Sequence, residues 1–344
     1  MGSLLEEKCG RRAVMSLMAG VFAAAGLMAM PAEAQENPDV VWKLSHTTDP
    51  NSIYQTAAVA FKEYVEEKTG GHFKIHIFHS SQLGWEREVL EALQVGTIES
   101  TIPALGPLAT FVPAYDVFNL PFIFESPEHM IASFELPGME KLKDVASEKD
   151  LVVAKHFLPT FRYPMNSKRP IETPEDLAGL KVRTMGVPAH VDAYTALGAN
   201  VTSMAFSEVY GALQLGAVDG VENFYTNLYT MKFQEQAKYI SDIPVVNNAA
   251  AMVFSKKAFE KLPKNYQEIV LKAADVAGDA ANEVAVAEEA KSLQLLQEAG
   301  VNYTHVEDLK PFKDLTAPVS QKYVSQMEPW VAELREEIVT LVED

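Results

Sequence analysis

Arg183, in the stretch GLKVRTMG, stands near the end of a short apolar run that reads as a strand, and the Gly-Val-Pro turn at 186 to 188 follows it. Asn223 takes the same place in a second strand-like run, DGVENF, and Arg162 opens the segment RYPMNSKRPI. Open α/β sheets bind ligands beyond the carboxyl ends of their strands. Two arginines and an asparagine converging there describe an anion site, because a guanidinium grips a carboxylate through two parallel hydrogen bonds and keeps its charge. Strand alternation puts Lys181, Arg183 and Met185 on one face and Leu180, Val182 and Thr184 on the other. On that pattern alone, Arg183 also fits a solvated edge charge or one half of an internal ion pair.

Other chemistries lack their starting motifs. The chain carries no Gly-x-Gly-x-x-Gly, no P-loop and no Gly-x-Ser-x-Gly, so dinucleotide, nucleoside triphosphate and hydrolase-elbow readings have no foothold. Of the eight histidines only His72, His76 and His79 cluster, and on a strand His79 points away from the other two, which is poor geometry for a metal. No cofactor and no metal is expected.

The elements that must position these residues alternate between strand and helix. VVWKLSH (40 to 46) and FKIHIF (73 to 78) read as strands, with amphipathic helices after each, the first in SIYQTAAVAFKEYVEEKTGG ending at Gly70-Gly71 and the second from about 86 to 95. The alternation returns in LVVAKHF (151 to 157), LKVRT (180 to 184), ANVTSM (199 to 204) and DGVENF (219 to 224), separated by helical stretches at 189 to 197 and 207 to 215. Thr173 followed by Pro174, Glu175 and Asp176 is a helix start. Two α/β units with largely parallel sheets follow from this pattern. From Lys264 to about Glu298 there is no proline and apolar residues keep helical spacing, so one helix of roughly 50 Å should bridge both units. A last helix is expected from Val319 to Val342, broken or kinked near Pro329.

The amino terminus reads as a secretory signal. Lys8, Arg11 and Arg12 precede an apolar run from Ala13 to Met30, and Ala32-Glu33-Ala34 places cleavage before Gln35. The Arg11-Arg12 pair also allows the twin-arginine route. Cys9 is the sole cysteine and leaves with the signal, so thiol catalysis and disulfides are excluded from the mature protein. The formal net charge of −18 repels nucleic acid and anionic lipid. The periplasm is the expected compartment and a monomer the expected state.

GLKVRTMG, with MAFSEVYGALQLGAVDGVENF after it, resembles the signature region of the solute-binding proteins of tripartite ATP-independent periplasmic (TRAP) transporters, the DctP-type family. SSQLGWERE (80 to 88), FNLPFIF (118 to 124), the NSKRPI segment and the long helix are similar too, so the likeness runs through essentially the whole mature chain.

The resemblance implies a periplasmic-binding-protein-like α/β fold of two lobes with a ligand cleft between them. Residues 35 to 160 with 249 to 288 would form the first lobe, and 161 to 248 with 289 to 344 the second. It implies that Arg183 binds the carboxylate of an organic acid, that Arg162 and Asn223 assist, that Phe206 packs on the ligand, and that Glu86 and Thr47 line the wall from the first lobe. Phe206 also suits a core position, and Glu86 an ordinary first-turn acid. The family's sialic-acid binders place an acid where this chain has Ala104-Leu105, which disfavours sialic acid; Trp85, Leu105, Phe161, Tyr163 and Phe224 would then leave room for a smaller or partly apolar acid, and each of them also suits a core position. The implied partner is an ion-gradient-driven TRAP permease, with no ATPase. Two rival readings keep the same frame: the ligand-binding subunit of a sensory system, and a cofactor-independent lyase or isomerase with Glu86 as base. A four-carbon dicarboxylate, a sugar acid, a keto acid and an aromatic acid all satisfy one fixed arginine.

Overall fold

The computed structural model describes residues 40–341. The expected signal peptide, residues 1 to 34, lies outside them. Within them the chain forms ten strands: β1 (Val40–Ser45), β2 (Phe73–Phe78), β3 (Ser100–Thr101), β4 (Leu151–Asn166), β5 (Lys181–Thr184), β6 (Asn200–Ser203), β7 (Gly220–Asn223), β8 (Tyr239–Ser241), β9 (Val246–Ser255) and β10 (Asn302–Thr304).

They run in the order β2-β1-β3-β9-β4-β7-β5-β6, with β8 on β4 and β10 on β8. β1 pairs parallel with β2 and β3, and β5 parallel with β6 and β7, so each end of the sheet is a parallel α/β unit. Between them β9 and β4 run antiparallel. The two ends are the cores of two lobes. In the first, Val253 packs with Leu93, Leu108 and Phe118, while its neighbour Phe254 points the other way onto Phe61, Phe73 and Ala277. In the second, Val221 packs with Leu228 and Phe233, and Val182 with Leu177, Tyr194 and Phe312.

β4 is longer than the run LVVAKHF suggested. Its lower part pairs with β9 from Leu151 to Arg162, and its upper part pairs with β7 and β8 from Tyr163 to Asn166, so Arg162 lies inside a strand at the junction of the lobes. The register slips between Phe157 and Thr160, where Leu158 adopts a left-handed φ of 62° and donates its N–H to Asn282 Oδ1 at 2.8 Å. A bulge of this kind bends the strand. β9 has no counterpart in the sequence reading, although all ten of its residues are buried.

The helix Lys264–Glu298 has the bounds expected of it. Ala273, Ala277 and Ala281 pack into the first lobe and Leu296 into the second, so it spans both. Elsewhere, local signals gave way to packing. Pro174–Leu177 is a single 3-10 turn in place of a helix. The carboxyl end forms two helices, Lys310–Val324 and Pro329–Thr340, the second opened by its proline. Val331, Leu334 and Ile338 of that last helix join the core of the first lobe, although the expected division put 289 to 344 with the second.

Gly220, opposite Asn166 where β7 meets β4, shows how tightly the junction is built. A Cβ there would lie 2.5 Å from Met165 O and 2.9 Å from Asn166 Cβ. Gly220→Ala is therefore expected to destabilise the protein by about 1–3 kcal/mol, the usual range for overpacking. Urea denaturation checks this, and an unchanged midpoint would contradict the close approach.

Candidate ligand-binding site

Arg183, Arg162, Asn223, Phe206, Glu86 and Thr47 line one cavity between the lobes. Thr47 comes from the loop after β1, Glu86 from the first turn of the helix Glu86–Val95, Arg162 from β4, and Arg183 and Asn223 from the ends of β5 and β7. Thr48, Tyr54, Ala104, Met185, Asn227 and Asn248 complete the wall of a space of about 20 Å³. A larger groove of about 330 Å³, bounded by Pro121, Phe122, Lys313 and Arg335, shares no residue with it.

The two arginines have different electrostatic surroundings. Arg162 donates Nε to the Glu222 carboxylate, NH2 to Glu222 O at 2.8 Å and NH1 to Asn248 Oδ1 at 3.2 Å. Both partners of that ion pair are buried, so the charge of Arg162 is already balanced. Arg183 is 1% exposed and, among the described residues, has no carboxylate within ion-pair distance, Glu222 being paired with Arg162. Its Nε and NH2 donate to Met204 O at 3.2 and 2.7 Å, its guanidinium lies 5.8 Å from the centre of the Phe206 ring, and its NH1 is buried with nothing to donate to. Burial lowers its pKa to about 10; Glu222 counters this, and the like charge of Arg162 adds to it. The group remains cationic at neutral pH.

Acceptors line the same cavity as these donors. Asn223 Oδ1 takes the N–H of Phe224 at 3.0 Å and Asn227 Nδ2 at 3.3 Å, which orients the Asn227 amide and leaves its Oδ1 buried without a partner. Glu86 accepts the Ala104 N–H through Oε1 at 3.0 Å, and burial raises its pKa while that hydrogen bond, Arg183 and Arg162 hold it down. Glu86 is thus both a first-turn acid and part of the wall. Phe206 is likewise both, since it packs edge-on against Phe233 in the core of the second lobe while it lines the cavity.

None of the five expected apolar wall residues lines the cavity. Leu105 and Phe161 belong to one core and Phe224 to another, and Tyr163 stacks on Tyr225 at 4.3 Å. Trp85 reaches across instead: its indole would be 3.3 Å from a Cβ on Gly186, in the loop that leaves β5. Beside it Ala104 packs with Met185 and Val187, and a Cβ on Gly106 would lie 2.7 Å from Val187 Cγ2. This small-residue contact shuts the cleft.

The sequence reading missed Glu222, Asn227 and Asn248. Glu222 sits beside Asn223 in a four-residue strand that is buried throughout, and a lone acid in such a run is the signal that was available. Asn248 is on β9, which was not recognised as a strand.

The geometry agrees with a wider likeness. A family model described as bacterial extracellular solute-binding protein, family 7 (DctP), matches residues 44–326. The chain belongs to this family. It is 36% identical over 288 residues to a solute-binding protein of Verminephrobacter eiseniae, covering 83% of this chain and 85% of that one. It is 31% identical over 324 residues to the C4-dicarboxylate-binding periplasmic protein DctP of Rhodobacter capsulatus, covering 92% and 95%. The crystal structure of a TRAP periplasmic solute-binding protein from Sulfitobacter sp. NAS-14.1 with bound β-D-galacturonate superposes with a TM-score of 0.84 at 31% identity, over 88% of this chain and all of the other. This family member is a TRAP solute-binding protein with the two-lobed fold of its relatives.

The contrast between the arginines predicts opposite responses to substitution. Glu222→Gln leaves Arg162 a buried cation without its counter-charge and should destabilise the protein by about 3 kcal/mol. Arg183→Met removes a desolvated charge that has no counter-ion, and the stability of the ligand-free protein should stay within about 1 kcal/mol of wild type, because the donor bonds lost to Met204 O offset the relief. Equal losses for the two variants in urea titrations would show that Arg183 is a structural residue.

Proposed function

We propose that this protein captures a monoanionic hydroxy acid of the sugar-acid type in the periplasm and delivers it to a TRAP permease. Arg183 takes the carboxylate, with Asn223 and Arg162 beside it. Phe206 packs on the ligand, and Thr47 and Glu86 face it from the first lobe. The observation that carries the ligand class is the pairing, in one cavity, of an unpartnered donor, Arg183 NH1, with an unpartnered acceptor, Asn227 Oδ1. A carboxylate satisfies the first and a hydroxyl the second. A C4 dicarboxylate without hydroxyls, ionised at both ends, has no proton for Asn227 and would set its second charge against Glu86. The bound β-D-galacturonate of the Sulfitobacter relative, which has both groups, supports the same reading.

Small-molecule sites usually enclose about 300–1,000 Å³, against about 20 Å³ here. Ligand entry then requires the lobes to part, and closure over the ligand expels water and strengthens the Arg183 contact. The lobes in this reading are residues 35 to 160 with 249 to 288 and the last helix, and 161 to 248 with 289 to 328, bending at the β4 bulge. No chemistry is done on the ligand, and no ATPase takes part. Cleavage before Gln35 would accompany export; among the described residues no helix is long and apolar enough to cross a membrane.

A thermal-shift screen of organic acids tests the ligand class. A hydroxy monocarboxylate such as D-galacturonate at a hundredfold over its Kd should add about 2.7 kcal/mol of stability, and succinate should add much less. Tighter binding of succinate than of any hydroxy acid would reverse the assignment. Calorimetric titration of the acid found should show Arg183→Ala at least a hundredfold weaker, since charge-assisted hydrogen bonds contribute roughly 1.5–3 kcal/mol each. Arg183→Lys, which keeps the charge and loses the fork, should fall between.

Closure has its own test. Gly106→Val puts a branched side chain where even one carbon would meet Val187 Cγ2 at 2.7 Å, so the lobes should be held apart. Binding should weaken about tenfold or more, with the free protein still folded and more extended in small-angle scattering. Wild-type affinity in this variant would remove the contact from the closing step.

A further inference from the structure

The short helix Tyr225–Thr230 carries Asn227 into the cavity and directly follows Asn223, yet Phe224 at its start offers no side chain to its first N–H groups. Four such groups are left without intrahelical partners at every helix start, and a polar side chain of the chain itself normally takes one of them. Here the partner comes from the long helix. Glu289 accepts the N–H of Tyr225 through Oε2 at 2.8 Å and that of Thr226 through Oε1 at 2.9 Å. Next along the same helix face, Ser292 Oγ meets Thr226 Oγ1 at 3.4 Å.

We propose that Glu289 is a positioning residue of the binding site: its ionised carboxylate holds the start of the Tyr225–Thr230 helix where Asn223 and Asn227 meet the ligand, and protonation of Glu289 weakens binding. The proposal rests on the organic-acid reading above for its functional consequence, although its structural part stands without it.

The surroundings favour a proton at this place. Glu289 is half-buried as a residue with its carboxylate enclosed, and burial raises its pKa to about 7 against the pull of the Thr226 and Tyr225 hydrogen bonds. Among the described residues no cation holds its pKa down. The groups that face it are uncharged phenols: Tyr163 from β4 and Tyr225, stacked on each other at 4.3 Å. Beyond them Asp242 is occupied by Tyr303 and His305, and on the long helix itself Glu288 pairs with Lys291 at the surface. With both oxygens ionised the carboxylate accepts two N–H groups; with a proton on one oxygen that oxygen becomes a donor facing a donor. The sign follows. Ligand binding favours the charged form, so affinity is full above the folded pKa and falls as the pH drops through about 7. A ligand carboxyl, with an ordinary pKa near 4, stays ionised over that range.

Two measurements on the whole mature protein test this. In the first, the backbone amide signals of Tyr225 and Thr226 and the side-chain amide signals of Asn223 and Asn227 are followed by nitrogen-15 NMR from pH 5.5 to 8.5 without ligand. All four should move with one apparent pKa near 7, and Glu289→Gln should abolish the movement while leaving the separate titration of His305. In the second, the Kd for D-galacturonate should rise about five- to tenfold from pH 8 to pH 6 in wild type and be independent of pH, at the weaker end, in Glu289→Gln. Signals of Asn223 and Asn227 that stay still, or that titrate unchanged in the Gln variant, would overturn the proposal, as would an affinity that does not depend on pH in wild type. If D-galacturonate does not bind at all, the ligand class is wrong, and the NMR titration alone decides the role of Glu289.

Discussion

A dry, charged guanidinium without a counter-ion is the constraint around which this protein is arranged. Taking Arg183 out of water costs free energy that Met204 O recovers only in part, and NH1 is left with nothing to accept its protons. The surrounding structure keeps it from finding an internal partner. Glu222 is close enough to influence Arg183, but its carboxylate is held by Arg162 and by the Met185 N–H at 3.3 Å. Glu86 is turned toward the Ala104 N–H. The positive charge therefore remains for whatever enters the cleft, and an unpaired acceptor on Asn227 sits in the same wall.

The connectivity allows this site to open and close. β4 and β9 contribute to the sheet beyond a single lobe, and the helix Lys264–Glu298 runs through the cores of both. Shared elements let the lobes move about a common bend without separating, and the interruption of β4 at Leu158, the second of two along its pairing with β9, is braced from the long helix by Asn282. Closure then depends on small residues. Gly106, Gly186 and Ala104 let the two walls approach until Trp85 and Val187 meet backbone, which excludes water from the arginine.

Much of this was legible along the chain. The alternation of strands and helices, and the long helix to its last residue, follow from apolar spacing that each segment carries by itself. β9 was not legible. Its Ala-rich run has weak strand preference, and burial on both faces removes the alternation by which a strand is recognised. The Pro174 turn failed for the opposite reason, since good local signals for starting a helix say nothing about how far packing lets it run, whereas the break expected near Pro329 is where the last two helices divide.

By itself the sequence marked Arg183, Arg162 and Asn223 as candidates for an anion site, because a fixed charge near the end of a strand is a property of residue type and local position. Only the tertiary structure decided which arginine is free. Neutralising Arg162 takes Glu222 and Asn248, at separations of 60 and 86 residues, and no local pattern encodes a pairing of that length. The same holds for the aromatic residues. Phe206 faces the ligand cavity while Phe224 and Phe161 are buried in cores, since the side of an element that meets the cleft is set by where the two lobes touch and not by the residue's own chemistry.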